Sequence, residues 1–282
     1  MVGKKSAGGR KDTRKFSVKK VARKDIPAQT KSRRLDENGS SLSRMLGTLR
    51  FFSRAEPVLS AERIAELSGV PTSTAYRYVR QLTNSGLLVR WKGGFALGPR
   101  IIELDLQIRE CDPAIVAGAT LMRELSSRTG LDVLLSRIYG RSIMTVHIEA
   151  TGSSRILNFG RGRPLPLFRG SNSKAITAFL PSARLKRLYD EARDANDPDA
   201  LAQDWDAFYE SMQRIRKAGY SLTKGELNSG IEGISAPIFG EGRAVIGSLT
   251  LIGDLERMSL LREEVVIDLL QSAAASLSRA LN

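Results

Sequence analysis
Two side chains on which much enzyme chemistry depends are nearly missing. The 282 residues hold one cysteine, Cys111, and one histidine, His147. A lone cysteine rules out an internal disulfide framework and fits a reducing, cytoplasmic setting. A lone histidine argues against a His-based zinc site, and the two positions offer no Cys-His couple: Cys111 falls at a domain junction and His147 in a strand pattern, TVHIE. No apolar run approaches the roughly 18 residues of a membrane span, and the N-terminus lacks the apolar core of a secretory signal. These absences lead us to expect no enzyme, no metal, no cofactor and no membrane.

Acid is also scarce, but only at the front. Met1 to Glu37 has 13 Lys+Arg against 4 Asp+Glu, and Asn38 to Arg100 has 9 against 3. Ile101 to Asn282 is balanced, 22 against 23, so the whole net charge of +14 sits in the first hundred residues. A basic front on a neutral body is the footprint of a nucleic-acid module joined to a part with another task. Residues 1–38 hold almost no large apolar side chain and read as a disordered basic arm. Such an arm adds phosphate contacts or merely solubilises.

The organising stretch is LSAERIAELSGVPTSTAYRYVRQLTNSGLLVR, Leu59 to Arg90. Ser60 is a helix N-cap, Ile64 and Leu67 give the first helix an apolar side, and Gly69 stops it. Val70-Pro71 turns the corner. A second helix from Thr72 to about Asn84 places Ala75, Val79 and Leu82 on one stripe. Its other surface carries Ser73, Thr74, Tyr76, Arg77 and Arg80, and the helix holds no acid. Such a helix suits a DNA major groove; a solvated helical hairpin gives the same pattern more blandly. Two neighbours favour DNA. Leu42, Met45, Leu46, Leu49 and Phe52 form a helical stripe over Ser41 to Phe52, and LLVRWKGGFAL reads as a hairpin with a basic tip. Together they describe a winged helix-turn-helix over residues 39–99. We expect Thr72, Ser73, Thr74, Tyr76, Arg77 and Arg80, with Arg90 and Lys92 on the wing, to meet double-stranded DNA.

A linker helix follows over residues 100–112, too apolar to be free and suited to packing on the same helix of a partner subunit. Residues 113–282 read as helix, strands, a block of helices, strands and a final helix. The strands include Ser154 to Phe159, and the helices Ser182 to Arg193, Pro198 to Ala218 and Leu260 to Leu281. That order is an α+β sensor domain with an antiparallel sheet.

The chain resembles the IclR (isocitrate lyase regulator) family of bacterial transcriptional regulators over nearly all of Ser41 to Asn282. The resemblance rests on SLSRMLGTLRFF, the helical hairpin above, PLPLFRGSNSKAITAFL and RKAGYSLTKGELNSGIEGISAPIFGEGRAVIGSLTLIG, in that order and separation. It implies a GAF-like effector domain, homodimers or homotetramers, and a small organic or aromatic acid as effector. Family position implies effector contacts from Ser171, Asn172, Ser173, Thr223, Glu226, Ile231, Gly233 and Ser235. Free amides at the start of the Ser171 helix would seat a carboxylate. The chain departs from the family there: GSNSK carries serines and an asparagine, and Gly233 stands where cysteine is frequent. A pocket more polar at the helix and roomier at the strand is expected. The implied function is a ligand-controlled regulator, usually a repressor of nearby catabolic or transport genes. A non-specific nucleic-acid binder driven by the arm, or an enzyme with a DNA module attached, are the alternatives.

Overall fold
The computed structural model describes residues 40–151, 160–195 and 204–282. The chain forms two compact units, residues 1–102 and 103–282. The expected basic arm, the Ser154 to Phe159 strand and the first turn of the Pro198 helix fall outside the described residues.

In the first unit, α1 (Ser41–Gly47) is capped by the Ser40 hydroxyl and tightens into a 3-10 turn, Thr48–Phe51. A single helix to Phe52 was expected. Helix α2 (Ala61–Ser68) starts at Ser60, whose hydroxyl accepts the Arg63 N–H, and stops at Gly69 in the left-handed conformation. Helix α3 (Thr72–Asn84) buries Ala75, Val79 and Leu82, and also Tyr78, which the sequence reading left out of the stripe. Strands β1 (Leu88–Trp91) and β2 (Gly94–Leu97) pair antiparallel about Lys92-Gly93. Phe51, Leu59, Ile64, Val79, Leu82 and Leu88 form one core, each burial contributing about 1.5–3 kcal/mol. Helix α4 (Pro99–Cys111), with no buried residue, begins in this unit and from Glu103 onward belongs to the second.

In the second unit, α5 (Pro113–Thr129) leads into a six-stranded antiparallel sheet. Its strands are β3 (Asp132–Tyr139), β4 (Ser142–Glu149), β5 (Pro164–Leu165), β6 (Ser221–Lys224), β7 (Ile231–Phe239) and β8 (Val245–Asp254). Their order is β5-β4-β3-β8-β7-β6. Between β5 and β6 come α6 (Ser171–Thr177), α7 (Ser182–Asp194) and α8 (Trp205–Ala218); after β8 come α9 (Leu255–Ser259) and α10 (Glu263–Ala280). The final helix thus starts later than expected, behind a short helix the sequence reading lacked.

Alternation along the strands divides the sheet into two apolar faces. Val133, Leu135, Ile234, Leu249 and Leu251 pack with Met122, Leu125, Val266 and Leu270 of α5 and α10. Leu134, Ile143 and Ile252 pack with Ile176, Leu188, Tyr189 and Phe208 from the other helices. This is the α+β fold with a GAF-like antiparallel sheet. At the start of α5, Asp112 accepts the Ala114 N–H at 2.9 Å and both carboxylate oxygens meet Arg137 at 2.8 and 3.1 Å. Arg161 donates twice to Asp105 of α4, at 3.0 and 2.8 Å.

The wing seats on a backbone contact that leaves no space. A Cβ at Gly98 would lie 2.1 Å from the Gly86 carbonyl oxygen. Gly98→Ala is expected to destabilise the first unit by about 1–3 kcal/mol through overpacking. Amide hydrogen exchange should show faster exchange across α2 and α3 and no change in β7 and β8.

Candidate functional site
Helix α3 is held by its buried stripe, so its remaining residues face solvent. Thr72, Ser73, Tyr76, Arg77 and Arg80 are exposed and Thr74 is half-buried. Arg77 and Arg80 sit one turn apart on a helix without acid. Helix α2 nevertheless supplies an acid next to it: the Tyr76 hydroxyl donates to Glu62 Oε1 at 2.6 Å. That bond holds the Glu62 carboxyl below its usual range and raises the Tyr76 phenol. Tyr76 therefore presents its ring, with its hydroxyl already engaged.

On the wing, Arg90 and Lys92 are exposed, and the Arg90 guanidinium lies 5.9 Å from the centre of the cross-strand Phe95 ring. Between them Trp91 is 61% exposed. The sequence reading missed Trp91 as a candidate. Its position in a basic hairpin tip was the available signal, since an exposed indole stacks or wedges against nucleic acid.

The second site lies between α6 and the end of the sheet. Ser171, Asn172, Thr223, Glu226, Ile231 and Gly233, six of the eight residues singled out, line a narrow cleft with Gly170, Leu227, Asn228, Thr250 and Ile252. Counting its open mouth, the cleft holds ≈ 310 Å³ of empty space. Ser173 and Ser235 do not line it. Ser173 is fully buried, its hydroxyl without a partner among the described residues, and Ser235 lies beneath the helix, donating to Ser171 Oγ at 2.9 Å. Thr250, which the sequence reading missed, faces Ser235 across β7 and β8, and their hydroxyls are 2.8 Å apart.

Three amides at the start of α6 are already engaged, where the sequence reading expects free ones. The Gly170 N–H donates to Glu226 Oε2 at 3.0 Å, the Ser171 N–H to Thr223 Oγ1 at 3.2 Å, and the Ser173 N–H to Asn172 Oδ1 at 3.0 Å. Glu226 Oε1 takes the Lys174 ammonium at 2.5 Å, and the Glu226 backbone carbonyl accepts from Arg169. One carboxylate thus holds the helix start, a lysine one turn on and the strand-end loop together. Nor is the strand side roomier. A Cβ at Gly233 would stand 2.7 Å from Ser171 Oγ, so the serine hydroxyl fills the space the glycine leaves.

That exchange of volume is testable as a double-mutant cycle. Gly233→Ala alone should cost about 1–3 kcal/mol of stability. Adding Ser171→Gly should recover part of it, seen as a positive coupling in thermal denaturation; strict additivity would show that the two do not share space.

Comparison with known proteins identifies both domains. The family model for the bacterial transcriptional regulator IclR C-terminal domain matches residues 113–279, and that for the IclR helix-turn-helix domain matches residues 41–90. The chain is 26% identical to the HTH-type transcriptional regulator KipR of Bacillus subtilis over 79% of its own length and 90% of that protein. Its fold is that of an IclR transcriptional regulator from Alicyclobacillus acidocaldarius, with a TM-score of 0.73 at 19% identity, covering 86% of this chain and 98% of the other. An IclR homologue from Microbacterium hydrocarbonoxydans, solved with 4-hydroxybenzoate, gives a TM-score of 0.68 at 20% identity over 86% and 99% of the two chains. The two matched domains, one reading DNA and one binding effectors, make this chain a member of the IclR family of transcriptional regulators.

Proposed function
We propose that this protein is a repressor of nearby catabolic or transport genes, released or engaged by a small organic or aromatic acid. The observation that carries the DNA half is the acid-free outward face of α3, with Arg77 and Arg80 exposed above a fully buried stripe. Thr72, Ser73 and Thr74 enter the major groove first, the Tyr76 ring packs against the duplex, and Arg77 and Arg80 meet guanine edges or phosphate. Arg90 and Lys92 follow the adjacent backbone. The basic arm, Met1 to Glu37, adds phosphate contacts without sequence preference.

The effector half rests on the cleft between α6 and β7. Its wall offers Ser171, Asn172, Thr223, Asn228 and Thr250 as polar partners and Leu227, Ile231 and Ile252 as apolar ones. A homologue of the same fold was solved with an aromatic acid. Here the Gly170 amide and Lys174 are already satisfied by Glu226, so an incoming carboxylate exchanges with that side chain. The exchange loosens the strand-end loop from α6, which is how occupancy reaches the rest of the unit. No catalytic role is assigned, and the protein works where its DNA is, in the cytoplasm. Among the described residues no helix is long and apolar enough to cross a membrane.

Self-association belongs to the same proposal. Helix α4 exposes Ile102 by 73%, Leu106 by 52% and Ile108 by 48%. Apolar positions in that number on a helix with no buried residue suit the same helix of a second copy. A dimer presents two α3 helices to half-sites spaced by about one helical turn, roughly 10 bp, or a multiple.

Fluorescence anisotropy on an operator fragment across a salt series tests the reading. Arg77→Ala or Arg80→Ala should each weaken specific binding by about 1–3 kcal/mol if the residue reads a base, and relax the preference there. If it grips phosphate instead, all sequences weaken alike and the salt slope falls by about one. Wild-type affinity and slope in both variants would refute the assignment. Leu106→Glu should shift the species in sedimentation velocity toward monomer; an unchanged profile would remove α4 from the interface.

A further inference from the structure
The roomier cavity of the second unit is not the effector cleft. It lies on the other face of the sheet, between β7 and the α9–α10 corner, and with its open mouth counted as for the cleft it holds ≈ 640 Å³ against ≈ 310 Å³. Ile234, Met258, Leu261 and Val266 form an apolar wall, and Lys224, Glu232 and Glu263 close one side. That combination of apolar body and a few convergent charged groups is what small-molecule pockets are made of.

The charges select the ligand. The Glu232 side chain is only 6% exposed, yet the ion pair it makes is with Lys224 Nζ at 3.3 Å, and Lys224 is 55% exposed. The same ammonium stands 3.6 Å from Glu263 Oε2. One cation thus serves two carboxylates from the solvent side and leaves a net charge of −1 at the cavity wall. These carboxylates hold the lysine above its usual range, Glu232 first. A buried carboxylate requires a cation or several donors close by. Lys224 provides that cation from a side chain long enough to swing into water, so a ligand can take its place.

We infer that this cavity is a second small-molecule site, built for an amphipathic organic cation: a primary ammonium seated between Glu232 and Glu263 on an apolar body packed against Met258, Leu261 and Val266. The ligand ammonium replaces that of Lys224, which moves out to solvent. This site is separate from the effector cleft, shares no lining residue with it, and does not rest on the function proposed above.

Isothermal titration of the full chain with 2-phenylethylamine, 3-phenylpropionate and 2-phenylethanol tests it, since the three share a body and differ in charge. The amine should bind at least tenfold more tightly than the alcohol, and the acid more weakly than either. Glu232→Gln should lose tenfold or more of the amine affinity, Lys224→Met should gain several-fold by removing the internal competitor, and Leu261→Trp should abolish binding by filling the cavity. Asn172→Ala, in the effector cleft, should leave the amine titration unchanged, which separates failure of this site from failure of that one. Should Glu232→Gln lose its folded circular dichroism, the exposed Glu263→Gln carries the test, with at least a threefold loss expected. Equal binding of the three probes, no binding of the amine at millimolar concentration, or binding indifferent to Glu232→Gln, Glu263→Gln and Leu261→Trp would overturn the inference. So would a concentration-dependent association lost in Leu260→Asp together with no amine binding, because the exposed Leu255 and Leu260 at the α9–α10 corner would then mark a protein interface.

Discussion
The burial of one stripe of α3 is the constraint on which the reader depends. Ala75, Tyr78, Val79 and Leu82 are all at most 2% exposed. With that side fixed against α2 and the wing, the helix has no freedom to choose what it shows to solvent. Polar and cationic residues at every other position then become a surface by default. The charge excess of the front hundred residues acts through this geometry: a positive field draws the duplex in, and the orientation of α3 decides which side chains meet it. The Tyr76–Glu62 bond refines the surface by pinning one aromatic residue to the neighbouring helix.

The sensing unit is organised by a different contrast. Both sheet faces are apolar over most of their area, but the ground beneath α6 is paved with hydroxyls. Ser248 Oγ donates to the Asn172 carbonyl at 3.0 Å, Ser235 to Ser171, and Thr223 accepts from the Ser171 amide. A seven-residue helix held by hydrogen bonds can exchange them for those of a ligand with little change in count, whereas an apolar seat would have to be rebuilt. Glu226 is central to that arrangement, because its carboxylate and carbonyl tie Gly170, Arg169 and Lys174 to one loop.

Much of this was legible in the sequence, for identifiable reasons. The helical hairpin has an N-cap serine, a stop glycine and a clean period, each a local signal that packing reinforced rather than overrode. The wing announced itself through Lys92-Gly93-Gly94 between apolar runs. Strand alternation gave β3, β4, β7 and β8. Six of the eight residues chosen for the effector site share one cleft, but that choice came from family resemblance and not from periodicity. What stayed hidden depended on partners distant in sequence. Nothing local to Gly233 reveals that Ser171 Oγ fills the space beside it, and nothing local to Gly170 reveals that Glu226 has taken its amide. Tyr78 was hidden for a smaller reason: it falls three residues after Ala75 and belongs to the stripe, but its hydroxyl disguises a ring that packs inside.

An electropositive reader and a charge-balanced sensor are joined in one chain, and the proposed function stands on their coupling. Footprinting of the purified protein on the DNA upstream of its own gene, at moderate salt and with a panel of small organic and aromatic acids, tests it most directly. Protected half-sites about a helical turn or a multiple apart, roughly 10 bp per turn, and an altered footprint with at least one acid are expected. Uniform protection without preferred sequence, or a specific footprint that no acid disturbs and that Glu226→Gln leaves unchanged, would contradict it.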